Sequence, residues 1–178
     1  MQFSAPDALQ RARRIKLMVF DVDGVLTDGR LWYGADGKEL KSFHAFDGHG
    51  VKMLIESGVR CAILSGRKSP AVAVRAKELG IGLVRQGIAG KREAFEKMLK
   101  RLRLQADDAG YMGDELVDVP VLRRCGFACV PREAPEPVRK CAHYVCSAPA
   151  GAGAVRELCE FVMRAQGTLE RRLQEYFA

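Results

Sequence analysis

Two aspartates one residue apart, Asp21 and Asp23, close an apolar run in "MVFDVDGVLTDG" and are followed at once by Gly24. Three further polar groups stand at similar junctions. Ser65 ends the apolar run in "AILSGR", Lys91 opens a helical pattern after "RQGIAG", and Asp114 follows an apolar run in "YMGDELVD". A carboxylate can attack phosphorus and form an acyl phosphate. Its obstacle is repulsion by the phosphate dianion, which a hard divalent cation relieves. Magnesium is held by one or two carboxylates together with phosphate oxygen and water, a requirement that Asp21 and Asp114 could meet. Lys91 would add positive charge for the transferring phosphoryl group, and the Ser65 hydroxyl could donate to a phosphoryl oxygen. Asp23 accounts for the pairing of carboxylates: the leaving alkoxide needs an acid, and the water that cleaves the acyl phosphate needs a base. On an extended segment a D-x-D spacing puts both side chains on one side, and Gly24 lets the chain turn sharply past a bound phosphate.

Elements must bring these groups together. "KLMVFDV" reads as a first strand, "GVKMLIESG" as a helix and "VRCAILS" as a second strand. "PAVAVRAKELG" has proline near a helix start and glycine at its end. "IGLVRQ" reads as a strand, "KREAFEKMLKRL" as an amphipathic helix and "AGYMGD" as a strand. "ELVDVPVLRRCG" reads as a short helix broken or bent near Pro120, "FACV" and "HYVCS" as strands, and "GAVRELCEFVMRAQG" as a closing helix. Strands alternating with helices predict an α/β fold, a mainly parallel sheet covered on both faces. "GRLWYGADGKELKSFHAF" breaks the rhythm and predicts a protruding β-hairpin over about residues 30–46. It would stand at the carboxyl edge of the sheet, where such folds place ligands.

The 178 residues suit one domain, 1–178, with a C-terminal helix and tail from about residue 151. No apolar run approaches the ~20 residues of a membrane span, and the polar N-terminus lacks a signal core. A cytoplasmic protein with no membrane partner is therefore expected. The net charge of +7 admits nucleic acid or acidic small substrates. The basic clusters "RARRIK" and "KREAFEKMLKRLR" read as solvated helix faces, aromatics are sparse, and no recognition motif is present, so no nucleic-acid partner is expected. The six cysteines make no C-x-x-C pair, and the run from Cys125 to Cys146 with His143 matches no zinc spacing. They read as core residues.

The constellation resembles the haloacid dehalogenase superfamily of phosphohydrolases, over nearly the whole chain. Its four motifs occur in order: "DVDGVLTD", the strand-ending Ser65, Lys91 and "GDELVD". The resemblance implies a Rossmann-like fold, Asp21 as nucleophile, Asp23 as acid/base, and Mg2+ held by Asp21, the Asp23 backbone carbonyl and Asp114. Asp118 or Glu115 would support the metal, with Asp118 favoured. Ser65, Gly66, Arg67 and Lys91 would bind substrate. Within the superfamily the hairpin region, "ILSGRKS" and the C-terminal helix resemble the capless 3-deoxy-D-manno-octulosonate 8-phosphate phosphatases. These remove phosphate from a lipopolysaccharide precursor and form homotetramers whose hairpins shape neighbouring sites. The related nonulosonate 9-phosphate phosphatases tend to carry an acidic residue where this chain has Arg67. Ala152 stands where the family's tail has an arginine.

Other readings compete. Phosphoreceiver domains also gather aspartates, Ser/Thr and Lys on a parallel sheet, but place the acceptor on a later strand and lack D-x-D-G in the first. His44 and His49 read as packing or turn residues, Asp47 as a turn or capping residue, and Trp32 and Tyr33 as subunit contacts.

Overall fold

Strand β1 (Leu17–Phe20) is buried along its whole length, because its side chains leave alternately on two covered faces. Leu17 and Val19 join one core cluster and Met18 and Phe20 the other. The computed structural model describes residues 5–177. Residues 1–4 and Ala178, part of the expected domain span, lie outside the described residues. β1 sits inside a six-stranded sheet with β4 (Arg60–Leu64), β5 (Leu83–Arg85), β6 (Ala109–Met112), β7 (Phe127–Val130) and β8 (Tyr144–Val145). The order is β5-β4-β1-β6-β7-β8, and every pair is parallel.

One face is covered by α1 (Ala5–Arg14), α2 (Ala45–Glu56), α3 (Pro70–Leu79), α7 (Ala154–Ala165) and α8 (Leu169–Gln174). The other is covered by α4 (Lys91–Leu102), α5 (Val119–Leu122) and α6 (Glu136–Arg139). α4 buries Phe95, Met98 and Leu99, a single stripe at helical spacing. Pro70 opens α3 and Gly80 ends it in the left-handed conformation. The chain winds outward from β1 through β4 to β5, then returns to lay β6 on β1's other side. The strand order therefore reverses between β1 and β6, the place where open α/β sheets form a ligand crevice.

One detail departs from expectation. The hairpin is shorter than residues 30–46: only β2 (Trp32–Tyr33) and β3 (Glu39–Leu40) pair. Phe43 turns inward to pack on the core beneath the Arg75 guanidinium, so pairing stops and α2 starts at Ala45. The helical stretch is broken near Pro120, as expected. A 3-10 turn, Leu116–Asp118, precedes α5, and Pro120 lies in the first turn of α5, where its missing N–H costs nothing. The tail beyond α7 contains a further helix, α8.

Candidate active site

Asp21 directly follows β1, and its N–H donates to the Met112 carbonyl across the gap to β6 (2.9 Å). Asp114 follows β6 by one residue, so the two carboxylates face each other across the reversal point. One oxygen each of Asp21, Asp114 and Asp118 lies within 4.8 Å of the others. Two glycines make this approach possible. Gly24 has φ +80°, and a Cβ there would lie 2.0 Å from Asp114 Oδ2. A Cβ on Gly113 would lie 2.5 Å from Asp118 Cγ.

Lys91, at the start of α4 and buried, donates from Nζ to Asp21 Oδ2 (2.6 Å) and Asp118 Oδ1 (2.7 Å). Asp118 is fully buried and its oxygens are occupied. Oδ1 also accepts from the Tyr111 hydroxyl (2.6 Å), and Oδ2 accepts from the N–H groups of Asp114 and Glu115 (3.1 Å each). Glu115 points elsewhere: it is exposed and accepts from the Leu116 N–H (2.5 Å). Of these acids, only Asp114 keeps a buried oxygen, Oδ1, without a hydrogen-bond partner among the described residues.

The electrostatics follow from crowding and burial. Burial, then the Asp118 charge, raises Asp21 to about 6 despite Lys91. Burial and the charges of Asp21 and Asp118 raise Asp114 to about 7. For Lys91 burial acts downward, but the two carboxylates outweigh it and hold the ammonium above the ordinary lysine value. Buried carboxylates that repel one another, one with an idle oxygen, fit a small hard cation.

Asp23 faces the hairpin. Lys41, whose side chain is 2% exposed, contacts Asp23 Oδ1 and also pairs with Glu39 Oε1 (3.1 Å). Arg67 lies 3.8 Å from Asp23 Oδ2 and is hydrogen-bonded to Glu39. Arg67, with help from Lys41, holds Glu39 below the usual carboxylate range. Ser65 is buried at the end of β4, with its N–H on the Arg85 carbonyl and its own carbonyl receiving the Ile88 N–H. Gly66 lies close enough to Lys91 that an added Cβ would touch its Cε. Ser65, Gly66, Arg67, Lys91, Asp21, Asp23, Asp114 and Asp118 thus occupy neighbouring positions at the carboxyl edge.

Sequence reasoning passed over Tyr111 and Lys41. A tyrosine in an otherwise apolar strand needs a buried partner for its hydroxyl, and Lys41 lies two residues beyond Glu39 along the hairpin strand. Either fact could have prompted attention. Asp47 is buried within α2 and caps a different helix: its carboxylate accepts from Gly153 N–H (3.2 Å) and Arg156 N–H (2.8 Å), at the start of α7. His44 is the N-cap residue of α2, and its buried Nδ1 has no hydrogen-bond partner among the described residues. His49 is exposed and meets Tyr176 edge-on. Trp32 and Tyr33 are 54% and 59% exposed. Ala152 lines an open cavity of about 520 Å³ beside Gly24 and Asp114. Five cysteines are buried and Cys141 is half-buried; none is paired.

No family model matches the chain. A 3-deoxy-D-manno-octulosonate 8-phosphate phosphatase from Yersinia pestis is 40% identical over 166 residues, 93% of this chain and 89% of the relative. A crystal structure of a probable YrbI-family phosphatase from Pseudomonas syringae has a TM-score of 0.96 at 48% identity, covering 98% of this chain and 99% of that one. The 3-deoxy-D-manno-octulosonate 8-phosphate phosphatase of Moraxella catarrhalis, solved with magnesium, phosphate and KDO, has a TM-score of 0.95 at 36% identity, covering 97% of this chain and 99% of that one.

Proposed function

Because the chain belongs to the 3-deoxy-D-manno-octulosonate 8-phosphate phosphatase family of the haloacid dehalogenase superfamily, we propose that its own site hydrolyses that sugar phosphate with magnesium. The observation that carries this reading is the pairing across the strand-order reversal: Asp21 on the Lys91 ammonium, with the idle buried oxygen of Asp114 beside it. Asp21, Asp114 and the Asp23 main-chain carbonyl would hold the ion. Bound there, magnesium supplies the positive charge that lets a carboxylate approach a phosphate dianion.

The side chains divide the remaining work. Lys91 engages Asp21 through Oδ2 only, which leaves Oδ1 to attack phosphorus. The Asp21–phosphorus bond forms as the bond to the sugar oxygen breaks, and Asp23 gives that oxygen its proton. Asp23 then takes a proton from water as the water oxygen attacks phosphorus, freeing Asp21 and releasing phosphate. Lys91 and the Ser65 hydroxyl steady the phosphoryl oxygens. Asp118 acts through Lys91: four donors hold it still, so the ammonium stays where the phosphoryl group arrives.

We further propose a cytoplasmic homotetramer. Leu31, Trp32, Tyr33, Leu40 and Phe46 are all exposed in and around the hairpin, and a two-stranded hairpin is marginal on its own. Six unpaired thiols suit a reducing compartment. Phosphate release from octulosonate 8-phosphate beside nonulosonate 9-phosphate, with magnesium and with excess chelator, tests the activity. Turnover that survives rigorous metal removal, or a preference for the nonulosonate, would overturn the reading.

A further inference from the structure

We propose that Lys41 is a positioning residue for Asp23, tying the hairpin to the proton-transfer step. The inference rests on the phosphatase reading above. A lysine side chain that leaves only 2% of its surface exposed is held by partners, since burying an ammonium without them is costly. Here the partners are two carboxylates, Asp23 Oδ1 and Glu39 Oε1. Both the lysine and Glu39 come from the second hairpin strand and the residue after it, whereas Asp23 comes from the β1 loop. Arg67, from the β4 loop, closes the ring by contacting Glu39 and approaching Asp23 Oδ2.

The two cations are not equivalent. Arg67 is nearly half exposed and 3.8 Å from Asp23, so its hold on that carboxylate is the looser one. Lys41 is enclosed and in contact with Asp23. It fixes one oxygen of the carboxylate and thereby the direction of the other. A carboxylate that serves as acid and then base must keep one oxygen aimed at the leaving oxygen and later at water. Glu39 forms an ion pair with Lys41 through Oε1, while its Oε2 engages Arg67. The hairpin thus contributes to the chemistry of its own subunit, besides any role at a neighbour's site.

The test compares the full chain with Lys41→Met and Lys41→Arg, using magnesium and two substrates: para-nitrophenyl phosphate and octulosonate 8-phosphate. Lys38→Met serves as a hairpin control, because Lys38 is exposed and pairs only with Asp36 among the described residues. For Lys41→Met we expect kcat to fall about 10- to 100-fold on both substrates, the effect of losing one charge-assisted hydrogen bond. KM for the small ester should stay within about twofold, and Lys41→Arg should recover most of kcat. A loss confined to KM for the sugar phosphate would make Lys41 a sugar contact and overturn the proposal, as would unchanged kcat. If Lys41→Met loses its thermal transition, Lys41→Gln is read in the same way. Wild-type protein inert toward both substrates would instead defeat the phosphatase reading itself.

Discussion

Two carboxylates, Asp21 and Asp118, share the Lys91 ammonium while a third, Asp114, stands beside them, and the arrangement makes the metal-free protein sensitive to pH. Asp21 and Asp114, at about 6 and about 7, bind protons more tightly folded than unfolded. Their favourable contribution is complete below the ordinary carboxylate value and is lost as pH rises through roughly 4 to 7. The acids whose values are lowered, exposed Asp36 and half-buried Glu39 and Asp108, act below that window. With chelator present, the melting midpoint should therefore fall between pH 5 and pH 7.5. Asp114→Asn should flatten the fall, and magnesium should reverse it at pH 7.5, with protons released on binding. A midpoint that rises across this interval in chelator would contradict the site's electrostatics. On activity, Asp21→Asn should abolish turnover with the fold intact, because an amide cannot be the anionic nucleophile. Asp23→Asn should cost about 10²–10⁴ in kcat, the usual worth of a proton carrier; phosphate release at saturating substrate reads both. The motif aspartates and Lys91 were legible in the sequence because each interrupts a pattern: a charge at the end of an apolar run, or a lysine opening a helix. Lys41 and Tyr111 were not, since their significance lies in tertiary contacts with Asp23 and Asp118, which no spacing along the chain announces.

Elements place these groups, and their order along the chain was largely readable from periodicity. The buried strands β1, β4, β6 and β7 announced themselves as short apolar runs. The loss of legibility came where tertiary contact overrides local pattern. Phe43 alternates like a strand residue, yet its burial under Arg75 ends the hairpin and admits α2. Asp47 reads as a turn or capping residue, and the helix it caps is α7, more than a hundred residues away. That bond, with the one to Gly153, holds the loop before α7 against α2. Gly151, in the same loop, sits so near the β1 loop that a Cβ would lie 2.4 Å from the Asp28 nitrogen. Asp47→Ala should therefore cost about 1–2 kcal/mol, as for a lost helix cap, and lower the melting midpoint by roughly 2–8 °C. Asp47→Asn, which keeps an acceptor, should cost less. Equal midpoints for Asp47→Ala and wild type by calorimetry would show that the cap carries no strain of the assembly.

At the scale of the whole molecule, the open crevice leaves recognition to surfaces beyond the five groups that do the chemistry. If hairpins from neighbouring chains supply it, replacing Trp32 and Tyr33 together by serine should give smaller particles in sedimentation. It should also lower kcat/KM for the sugar phosphate more than for para-nitrophenyl phosphate, because Lys41 and Glu39 remain in place. A full-sized particle with unchanged selectivity would remove the hairpin from assembly. The parallel sheet also imposes a sequence of events in time. β1 leaves the ribosome early, but its partner β6 follows about 90 residues later, which is on the order of ten seconds of synthesis. During that interval Asp21 exists without Asp114 or Asp118, and one edge of β1 stands open. The newborn chain is thus inert toward phosphate esters until its second half docks. That late docking, with its long loop closure, is the step at which a chaperone has most to protect.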